Sequence, residues 1–155
     1  MKVQQVIAGC LLTWTVGHCF PGLDQDTVFT GRAMERAKEV DTTCRAESGA
    51  GDDSFHLFIT GEEVPDSDHP FKCFVRCVMR QLESLDEDGN FSIEEELQNV
   101  PPEIKEEGDR IVKACAHIKS PDQCETAYRI HRCYHNESPE VYSVAIRHWE
   151  YRARN

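Results

Sequence analysis

Residues 67–85, SDHPFKCFVRCVMRQLESL, read as one amphipathic helix carrying two cysteines. Ser67 or Asp68 supplies its N-cap, and Pro70 falls in the first turn, where a missing amide hydrogen costs nothing. Phe71, Phe74, Val75, Val78, Leu82 and Leu85 recur at the 3.6-residue period, so one face is apolar along its whole length. Cys73 and Cys77 sit one turn apart on a neighbouring face. A bond between them would strain the helix, so each must reach a different element.

The same reading extends outward. Upstream, Phe29, Ala33, Ala37, Val40 and Cys44 fall on one helical stripe, which predicts a first helix ending near Cys44. A short helix over 53–60 presents Phe55, Leu57, Phe58 and Ile59 before Gly61 stops it. Downstream, 86–90 is a turn, and Ser92 with Glu95 forms a capping box for a short helix bearing Ile93 and Leu97. Pro101 and Pro102 end that helix. Ile104, Ile111, Val112, Cys115 and Ile118 mark the next. Ser120, Pro121 and Gln123 then provide cap, first-turn proline and capping-box partner for a helix carrying Cys124, Ala127, Tyr128 and Ile130. Past Cys133, a turn at Ser138 and Pro139 precedes Val141, Val144, Ala145, His148 and Trp149 at helical spacing. Residues 138–155 are therefore a C-terminal tail or an extra helix. No stretch alternates apolar and polar residues for long, so the expected fold class is all-α, with about six helices.

At the other end, Lys2 is the only charge before Asp24, and an apolar run over 6–17 leads to small residues at Gly17 and Cys19. That is a signal-peptide pattern for 1–19, cleaved between Gly17 and Phe20. The run is too short and interrupted for a membrane anchor, which needs about 20 apolar residues. Residues 20–155 then make one secreted domain with a modest core. Removing Lys2 from the 17 basic residues leaves 16 against 28 acidic ones, a net charge near −12. Such a surface repels phosphate backbones and anionic headgroups, so nucleic acid and stable membrane insertion are excluded as partners.

Cys10 and Cys19 belong to the leader, leaving Cys44, Cys73, Cys77, Cys115, Cys124 and Cys133. An even count in an oxidising compartment predicts three disulfides. Cys124 and Cys133 lie on opposite faces of one helix and about 13 Å apart along it, so they cannot pair. With the exclusion of Cys73 to Cys77, ten of the 15 pairings stay open. There is no CxxC pair and no paired histidine at ligand spacing, so no metal is expected.

The spacing Cys44-x28-Cys73-x3-Cys77-x37-Cys115-x8-Cys124-x8-Cys133 resembles the six-cysteine signature of insect odorant-binding and pheromone-binding proteins. FKCFVRC at 71–77, LDEDGNFS at 85–92 and DQCETAYRIHRCY at 122–134 are similar to that family's wording. The resemblance implies bonds Cys44–Cys77, Cys73–Cys124 and Cys115–Cys133, and helices stapled around an apolar cavity. It also implies a secreted carrier of small hydrophobic molecules, with a chemosensory receptor as a further candidate partner and a monomer or weak homodimer as its state. The candidate cavity wall is Phe58, Phe74, Val78, Leu82, Ile111 and Tyr128. Ser84 is a candidate hydroxyl anchor, and Tyr134 and Trp149 close one end.

Several features have blander readings. Asp86, Asp88 and Asn90 begin like an EF-hand loop, but Phe91 stands where glycine is needed and Leu97 where the bidentate glutamate is needed. The sequons at Asn90 and Asn136 also read as turn asparagines. His56, His69, His117, His131, His135 and His148 are scattered, and no nucleophile sits in a catalytic motif, so neither enzyme nor cofactor is expected. One rival function, amine scavenging in saliva, needs carboxylates inside the pocket, whereas the acids here read as solvent-facing. Another is a structural or signalling protein, or lipid scavenger, of seminal fluid or haemolymph.

Overall fold

The computed structural model describes residues 27–155, so the leader expected over 1–19 lies outside the described residues. Seven helices follow in order: α1 Arg32–Ser48, α2 Asp52–Thr60, α3 His69–Gln81, α4 Ile93–Asn99, α5 Lys105–Cys115, α6 Gln123–Glu137 and α7 Pro139–Arg154. A 3-10 turn, Pro102–Ile104, links α4 to α5. No strand occurs among the described residues, and a single bridge between Leu85 and Phe91 closes the turn between α3 and α4.

Most boundaries follow local chemistry. Asp68 caps α3 by accepting from the Phe71 amide at 3.1 Å, and Ser92 caps α4 by accepting from the Glu95 amide at 3.3 Å. Gly61 ends α2 at φ 80°, and a Cβ there would lie 2.3 Å from the His135 imidazole. Only glycine fits both that dihedral and that packing of α2 on α6.

Four boundaries differ from the sequence reading. Phe29 precedes α1 and is fully buried against the His148 ring, with centroids 5.0 Å apart. α1 also runs one turn past Cys44, to the left-handed Gly49. α3 stops at Gln81 because Glu83 takes a left-handed φ of 65°, and the Ser84 and Leu85 amides both turn back to the Met79 carbonyl. Leu82 and Leu85 are buried all the same. α6 is capped by Asp122, which accepts from the Glu125 amide at 2.8 Å, and not by Ser120. The Thr126 hydroxyl instead binds the Ser120 amide and carbonyl, which folds that loop across the helix start.

The six cysteines pair as Cys44–Cys77, Cys73–Cys124 and Cys115–Cys133. These bonds tie α1 to α3, α3 to α6 and α5 to α6. Each contributes about 2–4 kcal/mol, mainly by restricting the unfolded chain. α7 packs against α1 and α6, with Val141 and Tyr142 buried. The 138–155 segment is thus an extra helix built into the core. None of the described helices is long and apolar enough to cross a membrane.

Candidate ligand-binding site

All seven helices turn side chains toward one partly open cavity of about 180 Å³. A dry apolar cavity of about 150 Å³ admits benzene, so this one suits a ligand of that size or a little larger. Phe55 and Phe58 come from α2, Phe74 and Val78 from α3, and Ile111 and Val112 from α5; Val141, Ala145, Ile146 and Trp149 come from α7. The rings interlock: Phe55 lies edge-on to Phe74 at 4.6 Å and Phe58 edge-on to Phe71 at 5.2 Å, which holds the wall rigid.

Of the residues singled out in the sequence, Phe58, Phe74, Val78, Leu82, Ile111, Tyr134 and Trp149 line this cavity. Tyr128 does not. It is buried, with its hydroxyl accepting from the Val64 amide at 3.0 Å, so it braces the loop between α2 and α3. Ser84 is also off the wall; it is fully buried behind Asn99 and Glu96, accepting from Asn99 Nδ2 at 3.0 Å and donating to the Glu96 carboxylate.

Several polar groups on the wall have no counterpart in the sequence reading, and three of them stand closest to its chemistry: Glu96, Asn99 and His131. Glu96 and Asn99 stand one turn apart on α4 and face the cavity. This corrects the expectation that the acids point to solvent: Glu94, Glu95 and Glu96 are alike in sequence, and only the docking of α4 selects the third. Burial pushes the Glu96 carboxyl above the usual carboxylate range, against the lowering effect of the Ser84 hydrogen bond. His131, on α6, is the third; its Nδ1 meets the Tyr142 hydroxyl of α7 at 2.7 Å, and burial pushes its pKa down to about 4. Glu96 and His131 both keep some accessible surface, and both face the cavity. The Asp41–Arg45 pair also borders it, with the Arg45 guanidinium 3.6 Å above the Phe55 ring.

α7 corrects a second expectation. The helical spacing of Val141, Val144, Ala145, His148 and Trp149 suggests one shared apolar face, but the cavity face is centred on Ala145 and Trp149. Val144 and His148 lie on the other side of the helix, along an open groove shared with Val28 and Met34. At 100° per residue His148 is one such step from Trp149, enough to take it off the wall. The histidine beside the cavity is His131.

His69, Cys73 and Cys124 come together near the surface, but the two sulfurs are bonded to each other and so offer no thiolate. The second nitrogen of His69 meets Asp122 at 2.9 Å.

The fold is shared widely. An odorant-binding protein of Locusta migratoria matches at 48% identity with a TM-score of 0.78, covering 83% of this chain and 98% of that one. Odorant-binding protein 7 of Anopheles gambiae, solved in complex with an azo compound, matches at 31% identity and a TM-score of 0.62, covering 76% and 95%. General odorant-binding protein 19d of Drosophila melanogaster is 27% identical over 113 residues, 68% of this chain and 74% of that protein. Over residues 27–137 the sequence matches the PBP/GOBP family, and with the six cysteines paired in the expected order the chain belongs to that family of odorant-binding proteins.

Proposed function

We propose that this chain is a secreted carrier that takes a small hydrophobic molecule, an odorant, pheromone or similar semiochemical, into its cavity and releases it unchanged. The observation that carries the reading is the ring-lined apolar space of about 180 Å³, open on one side and left unfilled where a protein of this size would ordinarily pack side chains. Each buried methylene of a ligand contributes about 0.8 kcal/mol, so a chain of eight supplies roughly 6 kcal/mol before the cost of immobilising it. The azo compound bound by the Anopheles relative supports occupancy of this kind of fold by a small organic molecule. Export to an extracellular fluid follows from the leader pattern over 1–19 and from the three disulfides.

The Glu96 carboxyl on the wall supports a second reading, capture of an amine, for which the sequence had offered no internal acid. The two readings separate in one assay. An apolar fluorescent probe is bound by the purified protein and displaced by medium-chain alcohols, esters or fatty acids in the carrier reading, and by small polar amines such as histamine only in the other. Native mass spectrometry of protein taken from its own tissue, with the bound molecule retained, then identifies the ligand. A protein that neither binds the probe nor carries a small molecule out of the tissue refutes both.

A further inference from the structure

At the outer end of the contact between α3 and α6, a disulfide lies beside a histidine. His69, in the first turn of α3, places Nδ1 3.4 Å from Cys73 Sγ, while its Nε2 meets the Asp122 carboxylate at 2.9 Å. An ionised carboxylate only accepts, so Nε2 carries the hydrogen and Nδ1 of the neutral ring is left bare toward the sulfur. The ring nitrogen and the sulfurs of Cys73 and Cys124 all lie within 4.8 Å of one another. Cys73 is partly exposed and Cys124 is buried. Cys124 is also the second residue of α6, where the first-turn amides stabilise negative charge on a sulfur.

The other two bonds sit in opposite surroundings. Cys44 and Cys77 are both buried, and the Glu47 carboxylate stands 3.3 Å from Cys77 Sγ, where it opposes a second negative charge. Cys115 is fully buried and is the last residue of α5, the end of a helix that disfavours a thiolate. Of the three bonds, Cys73–Cys124 alone joins an accessible sulfur, a neighbouring base and a stabilised leaving group.

We infer that Cys73–Cys124 is a thiol-exchange site, at which a low-molecular-weight thiol of the glutathione or cysteine class adds to the protein. His69 Nδ1 takes the proton of the incoming thiol, whose sulfur attacks Cys73 Sγ in line with the existing bond. A new S–S bond forms to Cys73, the old one breaks, and its electron pair leaves on Cys124 as a thiolate. The imidazolium and the first-turn amides of α6 hold that charge until the proton passes to it. A second thiol can attack the mixed disulfide in turn, giving the oxidised small thiol and two free cysteines. The adduct unties α3 from α6, both of which wall the cavity, while Cys44–Cys77 and Cys115–Cys133 keep the rest of the fold stapled. None of these steps involves the cavity ligand, so the site stands apart from the carrier reading.

The test exposes the whole folded protein, with its three disulfides formed, to reduced glutathione at about pH 7.5. Samples are quenched over time into maleimide and denaturant and mapped by peptide mass spectrometry. The first labels are expected at Cys73 and Cys124, with glutathione on Cys73, at least about tenfold faster than at Cys44, Cys77, Cys115 and Cys133. His69→Gln should slow those first labels about three- to tenfold. The His69 side chain is 58% exposed, so the fold tolerates its replacement, and lost packing alone would leave exchange equal or faster, opposite to the expected sign. The order of the three bonds in the wild type is a second measurement that needs no variant. No adduct on the folded protein, a first adduct at another bond, or an unaltered or faster rate in His69→Gln overturns the site.

Discussion

Acid should loosen this protein through His131, and the size of the effect can be worked from its surroundings. Its imidazole is enclosed between the cavity and the Tyr142 hydroxyl, and burial lowers its pKa from 6.5 to about 4. A depressed histidine stays neutral in the folded state while the unfolded chain takes up a proton, so its contribution is intact above pH 6.5 and is lost as pH falls toward 4. One pKa unit is 1.36 kcal/mol, which gives at most about 2 kcal/mol of lost stability between pH 7 and 5 and about 3 kcal/mol by pH 4. Other groups titrate there too: Asp122 and Glu125, held below the usual carboxylate range by their hydrogen bonds, lose stability as pH falls, whereas Glu96 gains it. The comparison with His131→Gln, which keeps a neutral hydrogen-bonding group beside Tyr142, removes those shared contributions. Urea unfolding at pH 7 and at pH 5 should show the wild type losing about 2 kcal/mol more than the variant, or roughly 4–8 °C in a thermal melt. Because Tyr142 belongs to α7, probe affinity should fall with it. Parallel losses in the two proteins would refute the assignment of this histidine as the acid-sensitive group.

Two further outcomes follow from the packing. Gly108 touches Val100 so closely that a Cβ would sit 2.3 Å from Val100 Cγ1, and both line the cavity; Gly108→Ala should cost about 1–3 kcal/mol in urea and change probe affinity, and a neutral result would show that α5 can shift freely. Removing residues 138–155 strips Val141, Tyr142 and Trp149 from the wall and exposes the rings beneath, so the truncated chain should lose probe binding at every pH, and retained affinity would show that α7 does not close the cavity.

What the chain encodes locally was legible residue by residue. The stripe of Phe71, Phe74, Val75 and Val78, the caps at Asp68 and Ser92 and the stop at Gly61 all follow from side-chain spacing and backbone rules that act within a few residues. Helix geometry likewise forbade Cys73 from bonding Cys77 and Cys124 from bonding Cys133, but the pairing itself came from the likeness in spacing and wording, since ten arrangements satisfy the geometry equally well. Seven of the nine residues singled out for the cavity do line it, because an apolar helix face in so small a domain has only one interior to turn toward.

Tertiary structure alone decided which polar groups join them. Glu96 is one of three consecutive glutamates, and its inward position depends on how α4 docks between Ser84 and α6, through contacts far apart in the chain. The same holds for His131 over His148. His131, on α6, faces the cavity, while His148 is turned away from it by a rotation of α7 that its broad apolar face leaves undetermined and that packing against α1 and α6 sets. Helix period is written in single residues, while the angle at which a helix meets its neighbours is a property of all the surfaces that meet there, so the sequence by itself specifies the walls of this cavity and the assembled fold specifies its chemistry.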